Sequence, residues 1–529
     1  MKKILFSLLG FLMAGSMAFA GGLVTNTNQS ATWARMLVRD ASTSIDAVYY
    51  NPAGLTKLSD GLHLSVSNQS IFQKRSITNS LFPDKEYEGK VSAPFFPNLY
   101  AAYKTGKFAF SLGFTPIGGG GSASYDTGIP MIEMLIASLP DNFTALGANG
   151  GYTYNASFEG SSVYFGIQGG ISYAINDMIS VYAGARYVMA SNSYTGAINN
   201  IVLSSDNPNM PQLTNATLTG AGDSYQAGGD GMQPLVDGGA GSLTFAQAEG
   251  ATLIDAATRA QLEGGLLALG YPQAAIDAMN ITTAQGTYYG AATNFYTGAA
   301  ALADKELDVK QKGSGFTPIL GANIALMEDK LNIGIKYEFQ TNMDVENETA
   351  KDVIVGGTPT SPVTMYPDGE KYNADIPAQL SIGVNYMFSD KFSAQVGYHT
   401  YFDKKAGWST IEGSNPEISV IDKNYMEIGV GFEFNVSEQL LLSAGYLRAQ
   451  TGANDYYHDD LSYSLSSNTF GLGGAYKIND MLTLQLGGYY TAYPEETIPM
   501  PAYANLISQT YNKSNMAFAI GLDFTFGGK

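Results

Sequence analysis

The 529-residue chain has no cysteine, three histidines and two tryptophans, and only 14% of it is charged. Without cysteine there is neither a disulfide framework nor a zinc–thiolate site. Acidic residues outnumber basic ones 47 to 28. That balance excludes a nucleic-acid binder of this size, which needs a basic face. The charged fraction lies well below the roughly 25% of an ordinary soluble domain. Mean hydropathy is -0.04, and after residue 20 no run approaches the roughly 18 consecutive apolar residues of a spanning helix, which excludes a polytopic helical membrane protein. Catalytic signatures are missing as well: there is no G-x-S-x-G elbow, Walker loop or H-E-x-x-H. The glycine-rich stretches Gly118–Gly121 and Gly471–Gly474 lack the strand-to-helix setting of a phosphate cradle. We therefore expect no enzyme, cofactor or metal site, and His458-Asp459-Asp460 reads as a solvated acidic loop tip.

What is abundant is glycine (61), tyrosine (35) and phenylalanine (26). Residues 1–20 carry Lys2 and Lys3, an apolar stretch from Ile4 and an Ala18-Phe19-Ala20 cleavage triplet, the pattern of a secretory signal peptide. Beyond it the dominant signal is alternation with period two. In Met516, Phe518, Ile520, Leu522, Phe524 and Phe526 every second residue is apolar, and Met426–Phe434 and Leu331–Phe339 repeat the pattern with charges on the opposite face. Six short polar connections, at 104–107, 175–177, 328–330, 389–391, 436–438 and 478–480, each join two such runs into a hairpin. One strand near 61–76 and another near 515–526 flank them. The total is fourteen, with strands near 97–104, 107–116, 161–175, 178–194, 314–327, 330–343, 377–388, 391–403, 424–435, 438–450, 466–477 and 480–493 between.

Short turns on the side of both termini, long loops opposite and an even number of dyad strands predict an all-β fold: a 14-stranded antiparallel transmembrane β-barrel at residues 59–529, placed in a Gram-negative type of outer membrane. A large secreted sandwich or β-helix is the rival architecture. Tyrosines at strand ends (Tyr100, Tyr103, Tyr398, Tyr401, Tyr489, Tyr490, Tyr493) suit interfacial girdles. Residues 196–308 form an insertion too long for a structureless loop. Two short helices are expected within 244–279, broken at Gly270-Tyr271-Pro272, and a further one over Met131–Leu139. Residues 21–58 are too apolar for a free tail and can fold into the lumen, with Arg35, Arg39, Asp40 and Asp46 pairing with wall charges such as Glu427 or Lys336.

The segments Asp40-Ala41-Ser42-Thr43 and Tyr50-Asn51-Pro52-Ala53-Gly54-Leu55, followed by Pro97–Tyr103 and Phe114–Gly118, resemble the FadL family of outer-membrane transporters of long-chain fatty acids and aromatic hydrocarbons. The resemblance implies a barrel closed by an N-terminal hatch over 21–58, with Asn51, Pro52 and Ala53 as its NPA motif. It also implies an extracellular binding groove and a lateral wall opening at the third strand, where Pro116, Gly118 and Gly119 stand. Without the resemblance, Asn-Pro-Ala-Gly is a tight turn and Pro116 a strand end. Arg186, inward by alternation, is a candidate partner for a ligand carboxylate or for a wall acid. The implied function is passive uptake of hydrophobic compounds, long-chain fatty acids first. Outer-membrane lipid, lipopolysaccharide and detergent-like lumen ligands are the other expected partners, and the chain is expected to be a monomer. A water-filled porin and a surface-binding barrel remain the alternatives. The large insertion and the ending Phe526-Gly527-Gly528-Lys529 depart from the family pattern.

Overall fold

The computed structural model describes residues 22–358, 361–411 and 413–527; the signal peptide expected over residues 1–20 and the last two residues lie outside them. Fourteen strands form one closed antiparallel barrel: β1 (Gly61–Asn79), β2 (Phe82–Thr105), β3 (Phe108–Tyr125), β4 (Ala148–Ala174), β5 (Ile179–Ser205), β6 (Lys305–Leu326), β7 (Leu331–Glu338, resuming as Asp344–Lys351), β8 (Gln379–Ser389), β9 (Phe392–Tyr401), β10 (Met426–Asn435), β11 (Leu440–Gln450), β12 (Ser467–Asn479), β13 (Leu482–Ala492) and β14 (Ser508–Phe526). The first strand pairs with the last, from Leu62↔Phe526 to Asn79↔Gln509, and this ladder closes the cylinder. All six short connections are turns where the sequence places them. The first long-loop connection is different: β1 and β2 run on as a ribbon to a two-residue turn at Ser80-Leu81. Its charged stretch Asp84–Lys90 lacks apolar alternation, so it reads as loop.

Alternation determines which side chains meet which medium. On β14, Met516, Phe518 and Ile520 are exposed while Asn515, Ala517 and Ala519 are buried; on β10, Ile428 and Phe432 are exposed while Glu427 is buried. The wall is thus greasy outside and polar inside, the reverse of a water-soluble protein and the arrangement that hydrocarbon requires. Among the described residues no helix is long and apolar enough to cross a membrane. The strand-end tyrosines divide in the same way. Tyr103, Tyr398 and Tyr490 face outward, but Tyr100, Tyr401 and Tyr489 are buried inside. Residues one or three apart on a strand point to opposite faces, so only half of each expected girdle pair can reach lipid.

The N-terminal segment fills the lumen with helix α1 (Ala31–Met36), helix α2 (Ala47–Tyr50) and a 3₁₀ turn at Pro52–Lys57. Ser30 caps α1 by accepting from the Trp33 N–H at 2.9 Å, and Leu37 ends it in the left-handed region at φ 63°. The plug lies directly on strand backbone because the wall beneath it has no side chains. A Cβ at Gly445 would fall on the Met36 carbonyl, and one at Gly334 on the Asp40 carbonyl. These glycines are neighbours across the ladders: Gly431↔Gly445↔Gly471 and Gly473↔Gly487 on one side, Gly334↔Gly383↔Gly397↔Gly429 on the other. Glycine weakens a strand unless another backbone must approach it, and here one does.

A second compact unit comprises Met131–Ala156 and Ala197–Lys305. The helix expected at Met131–Leu139 is α3 (Pro130–Ala137). The insertion contains α4 (Asn215–Asp237), α5 (Phe245–Gly250), α6 (Ala256–Ala268), α7 (Gln273–Ala278) and α8 (Ile281–Ala301). Its two longest helices, α4 and α8, are not legible in the sequence, because α4 carries five glycines at about 1 kcal/mol each relative to alanine. Packing overrides that cost. Gly222, Gly228 and Gly229 of α4 receive the rings of Tyr296, Tyr288 and Tyr289 of α8, whose hydroxyls donate to Asp223, the Leu262 carbonyl and Asp230.

The glycine seat predicts that Gly445→Val, which overpacks the wall at a cost of about 1–3 kcal/mol, displaces α1 without opening the barrel. Planar-bilayer recordings should then show an ion leak absent from the parent protein, while the variant keeps the parent's heat-modifiable gel migration.

Candidate functional site

The wall is interrupted where plug and barrel meet at β3. β2 and β3 pair from Thr105↔Phe108 to Leu99↔Phe114, and again from Ser92↔Ser122 to Lys90↔Ser124, with no pairing between. The β3–β4 register slips twice in the same stretch, at Pro116/Gly118 and Gly118/Gly121. Pro94 and Pro97 on β2 and Pro116 on β3 have no N–H to donate. Gly119 (φ 86°) and Gly121 (φ 72°) take left-handed backbone that other residues rarely adopt. Thr115 to Gly120 are all buried.

The plug takes up the backbone groups this break releases. Asn26 N–H donates to the Ile117 carbonyl at 2.7 Å, Asn26 Nδ2 to the Gly119 carbonyl at 3.1 Å and Gln29 Nε2 to the Pro116 carbonyl at 2.9 Å. Gln29, fully buried, is the centre of this contact. Its Oε1 accepts from Asn98 Nδ2 of β2 at 3.1 Å and from the Thr115 hydroxyl of β3. Its N–H donates to the Tyr50 hydroxyl at 2.7 Å, and its carbonyl accepts from the Tyr100 hydroxyl. A single glutamine thus stands where strand pairing is missing. On the outer side of the gap Phe95 is 82% exposed.

The NPA motif anchors the plug to the wall strands that follow β3. Asn51 Nδ2 donates to Asn323 Oδ1 of β6 at 2.8 Å and to the Ser42 carbonyl at 3.1 Å, while its Oδ1 has no partner. Pro52 opens the 3₁₀ turn, and its carbonyl accepts from Ser172 of β4 at 2.6 Å; the Ala53 carbonyl accepts from Ser180 of β5 at 2.7 Å. The motif is therefore a turn that also ties three wall strands to the plug. Arg186 of β5 pairs with Glu338 of β7, Nη1–Oε2 at 2.5 Å and Nη2–Oε1 at 3.1 Å, and also donates to Gln168. Lys336 joins Glu338 at 2.7 Å, and both cations lie over the Tyr49 ring.

Of the four plug charges expected to meet the wall, Arg35 and Asp40 do so and Arg39 and Asp46 do not. Arg35 pairs with Glu433 at 2.8 Å. Arg39 and Asp46 pair with each other inside the plug, at 2.7 Å, because both project from one short loop. Burial alone would raise the Asp46 carboxyl, and the Arg39 guanidinium outweighs it, holding the group below its usual range. Asp40 meets His399 Nε2 at 2.5 Å, and His399 Nδ1 lies 3.0 Å from Glu427. Beneath the plug a cavity of about 540 Å³ is lined by Arg35, Arg39, Asp46, Lys57, Glu433 and Asp523. The loop around His458 is not a solvated tip: Asp460 and Leu461–Leu465 are buried. Among the described residues no group of three or more His, Cys, Asp or Glu is placed to hold a metal.

These features define a plugged transmembrane β-barrel with an interrupted third strand. The fold is the one seen in a Pseudomonas aeruginosa FadL homologue, which aligns over 96% of this chain and 100% of its own at TM-score 0.56 and 13% identity. The Pseudomonas putida toluene transporter TodX aligns over 96% and 100% at TM-score 0.52 and 14% identity. No protein-family model and no curated protein sequence matches the chain. At these identities the likeness is one of fold.

Pro116, Gly118 and Gly119 thus stand together at the gap, Asn51–Ala53 at the wall anchor, and Arg186 in a separate charge cluster. Gln29, Asn98 and Thr115 are not singled out by sequence. The available signal was Pro94 and Pro97, two prolines in one strand opposite a third. Gln29→Leu leaves Asn98 and Thr115 without their buried partner, at about 1–3 kcal/mol per orphaned group. Amide exchange should accelerate selectively over residues 22–30 and 115–121; unchanged exchange there would refute the role assigned to Gln29.

Proposed function

We propose that the chain belongs to the FadL family and that its mature form, released after Ala20, is a monomeric outer-membrane transporter for passive uptake of hydrophobic compounds, long-chain fatty acids among them. The observation that carries this reading is the interrupted β2–β3 ladder, stoppered from inside by Gln29. A greasy solute leaving along the barrel axis would enter the charged cavity beneath the plug. A solute leaving sideways past Phe95 and Leu99 would enter hydrocarbon, gaining about 25 cal/mol for each Å² of apolar surface removed from water. The solved neighbours of this fold include a toluene transporter, which supports an apolar ligand class.

In this reading residues 21–58 are a hatch, the helical insertion offers the first contact to ligand, and lipid and lipopolysaccharide surround the wall. Asn51-Pro52-Ala53 is the fixed end about which the hatch moves, and the segment from Val24 to Gln29 is the end that withdraws from β3. Arg186 has its fork filled by Glu338, so a ligand carboxylate reaching it competes with a bidentate pair. The test is planar-bilayer conductance beside uptake of labelled hexadecanoic acid into liposomes. We expect no open-channel conductance in the parent protein, with uptake that falls at least about tenfold in Asn51→Ala, where a buried wall anchor is lost. A large steady conductance without fatty acid dependence would mean an aqueous porin.

A further inference from the structure

The loop between β11 and β12 turns into the barrel instead of away from it. Asp460 to Leu465 are buried without interruption, whereas a wall strand buries every second residue, and residues 458–466 are neither helix nor strand. The wall side chains that meet this stretch face the lumen. Gln509 Nε2 of β14 donates to Asp460 Oδ1 at 2.7 Å, and the Tyr511 ring of β14 lies 4.6 Å from the Tyr463 ring. Tyr463 and Leu465 share one buried apolar cluster with Ile77 of β1, Tyr511 and Ile498. Arg75 of β1, buried and inward, reaches the Leu461 carbonyl at 3.5 Å and stands over the Tyr463 ring at 5.1 Å. The Asp459 carboxylate faces the same arginine, and it is within electrostatic reach of Tyr125 of β3 and Tyr194 of β5.

These contacts run from β14 past β1 and β3 to β5, an arc with β2 and β3 at its middle. Those are the two strands that part. Arg75 stands opposite Gly89 of β2, and the Tyr125 ring occupies the space a Cβ at Gly89 would need. The nearest β2–β3 pair on this side of the gap is Ser92↔Ser122. Gly89 to Ser92 is about 10 Å of strand, so the tip of the loop stands just above the break. Its base is tied to a different element. Asp422 N–H of the β9–β10 loop donates to the Gly452 carbonyl at 2.8 Å, and Asn454 N–H donates to the Val420 carbonyl at 3.1 Å. Base and tip therefore have separate partners. The tip folds on itself as well, with Asp459 Oδ1 accepting from the N–H of Leu461 at 2.8 Å and of Ser462 at 2.5 Å, so it can leave the wall as one piece.

We propose that residues 458–465 are a strap across the lumen above the β2–β3 gap, latched to the wall by Arg75, and that a hydrophobic solute reaches the gap only when the strap lifts. The inference rests on the transport reading above and adds to the plug a second closure on the long-loop side. Arg75 is the positioning residue, because one side chain meets the Leu461 carbonyl, the Tyr463 ring and the Asp459 carboxylate. A strap over one arc of the mouth obstructs a large solute bound for the gap without sealing the barrel to ions.

The test exploits the lack of cysteine. Asp460→Cys together with Gln509→Cys puts two thiols where a hydrogen bond joins strap and wall, and a bismaleimide with a central disulfide bridges them in the full mature protein. Uptake of labelled hexadecanoic acid into liposomes should fall at least about tenfold in the bridged protein, whose strap has no open population, and return when the bridge is reduced. Bridged protein that takes up the acid as fast as its unbridged form overturns the strap and leaves the transport reading standing. If the pair resists bridging, or its unbridged form is inactive beside an active parent, Arg75→Gln decides. The weakened latch should raise the initial rate about tenfold, the worth of one desolvated cation–π contact, and an unchanged or lower rate overturns the strap. A parent that takes up no acid overturns both readings.

Discussion

The structure depends on one constraint: a cylinder of fourteen strands is too wide for its own side chains to fill, and its inner face is polar. The N-terminal segment answers that constraint. It supplies Arg35 to Glu433, Asp40 to His399 and the Tyr49 ring to Arg186 and Lys336, so charges of the wall, some already paired along it, are shared with a second element. The same contact explains the glycine content of the wall. Where the plug backbone presses on the strands side chains vanish, and where it does not, at Arg75, Gln73 and Lys513, they return.

The plug also completes the wall. Between β2 and β3 three prolines, two on β2 and one on β3, and a glycine run on β3 cancel the ladder, and Val24, Asn26 and Gln29 take its place. The segment is tied to the wall at two places, at Asn51–Ala53 to β4, β5 and β6 and at Asn26 and Gln29 to β2 and β3.

Much of this was legible in the sequence. All fourteen strands and the six short turns follow from period-two alternation and polar dipeptides, because one face had to be apolar throughout. The charged β1–β2 ribbon was not, since beyond the apolar belt nothing enforces alternation. The girdle reading failed at Tyr100, Tyr401 and Tyr489, where counting residues along the strand would have placed them inside. Helices α4 and α8 were hidden by glycines whose purpose is visible only against the tyrosine rings of the partner helix. The gap could be anticipated from Pro116 and Gly118–Gly119, but Gln29 could not, because its role arises from a contact between segments far apart in the chain.

The wall glycines carry a consequence for divergence. A seat made of missing side chains constrains only where bulk is forbidden, so every other inward position on those strands can drift without unseating the segment that rests there. The same architecture can then stand at an identity near 13% with different rows beyond the seat. Those rows, not the seat, are where the inner surface is free to change its chemistry.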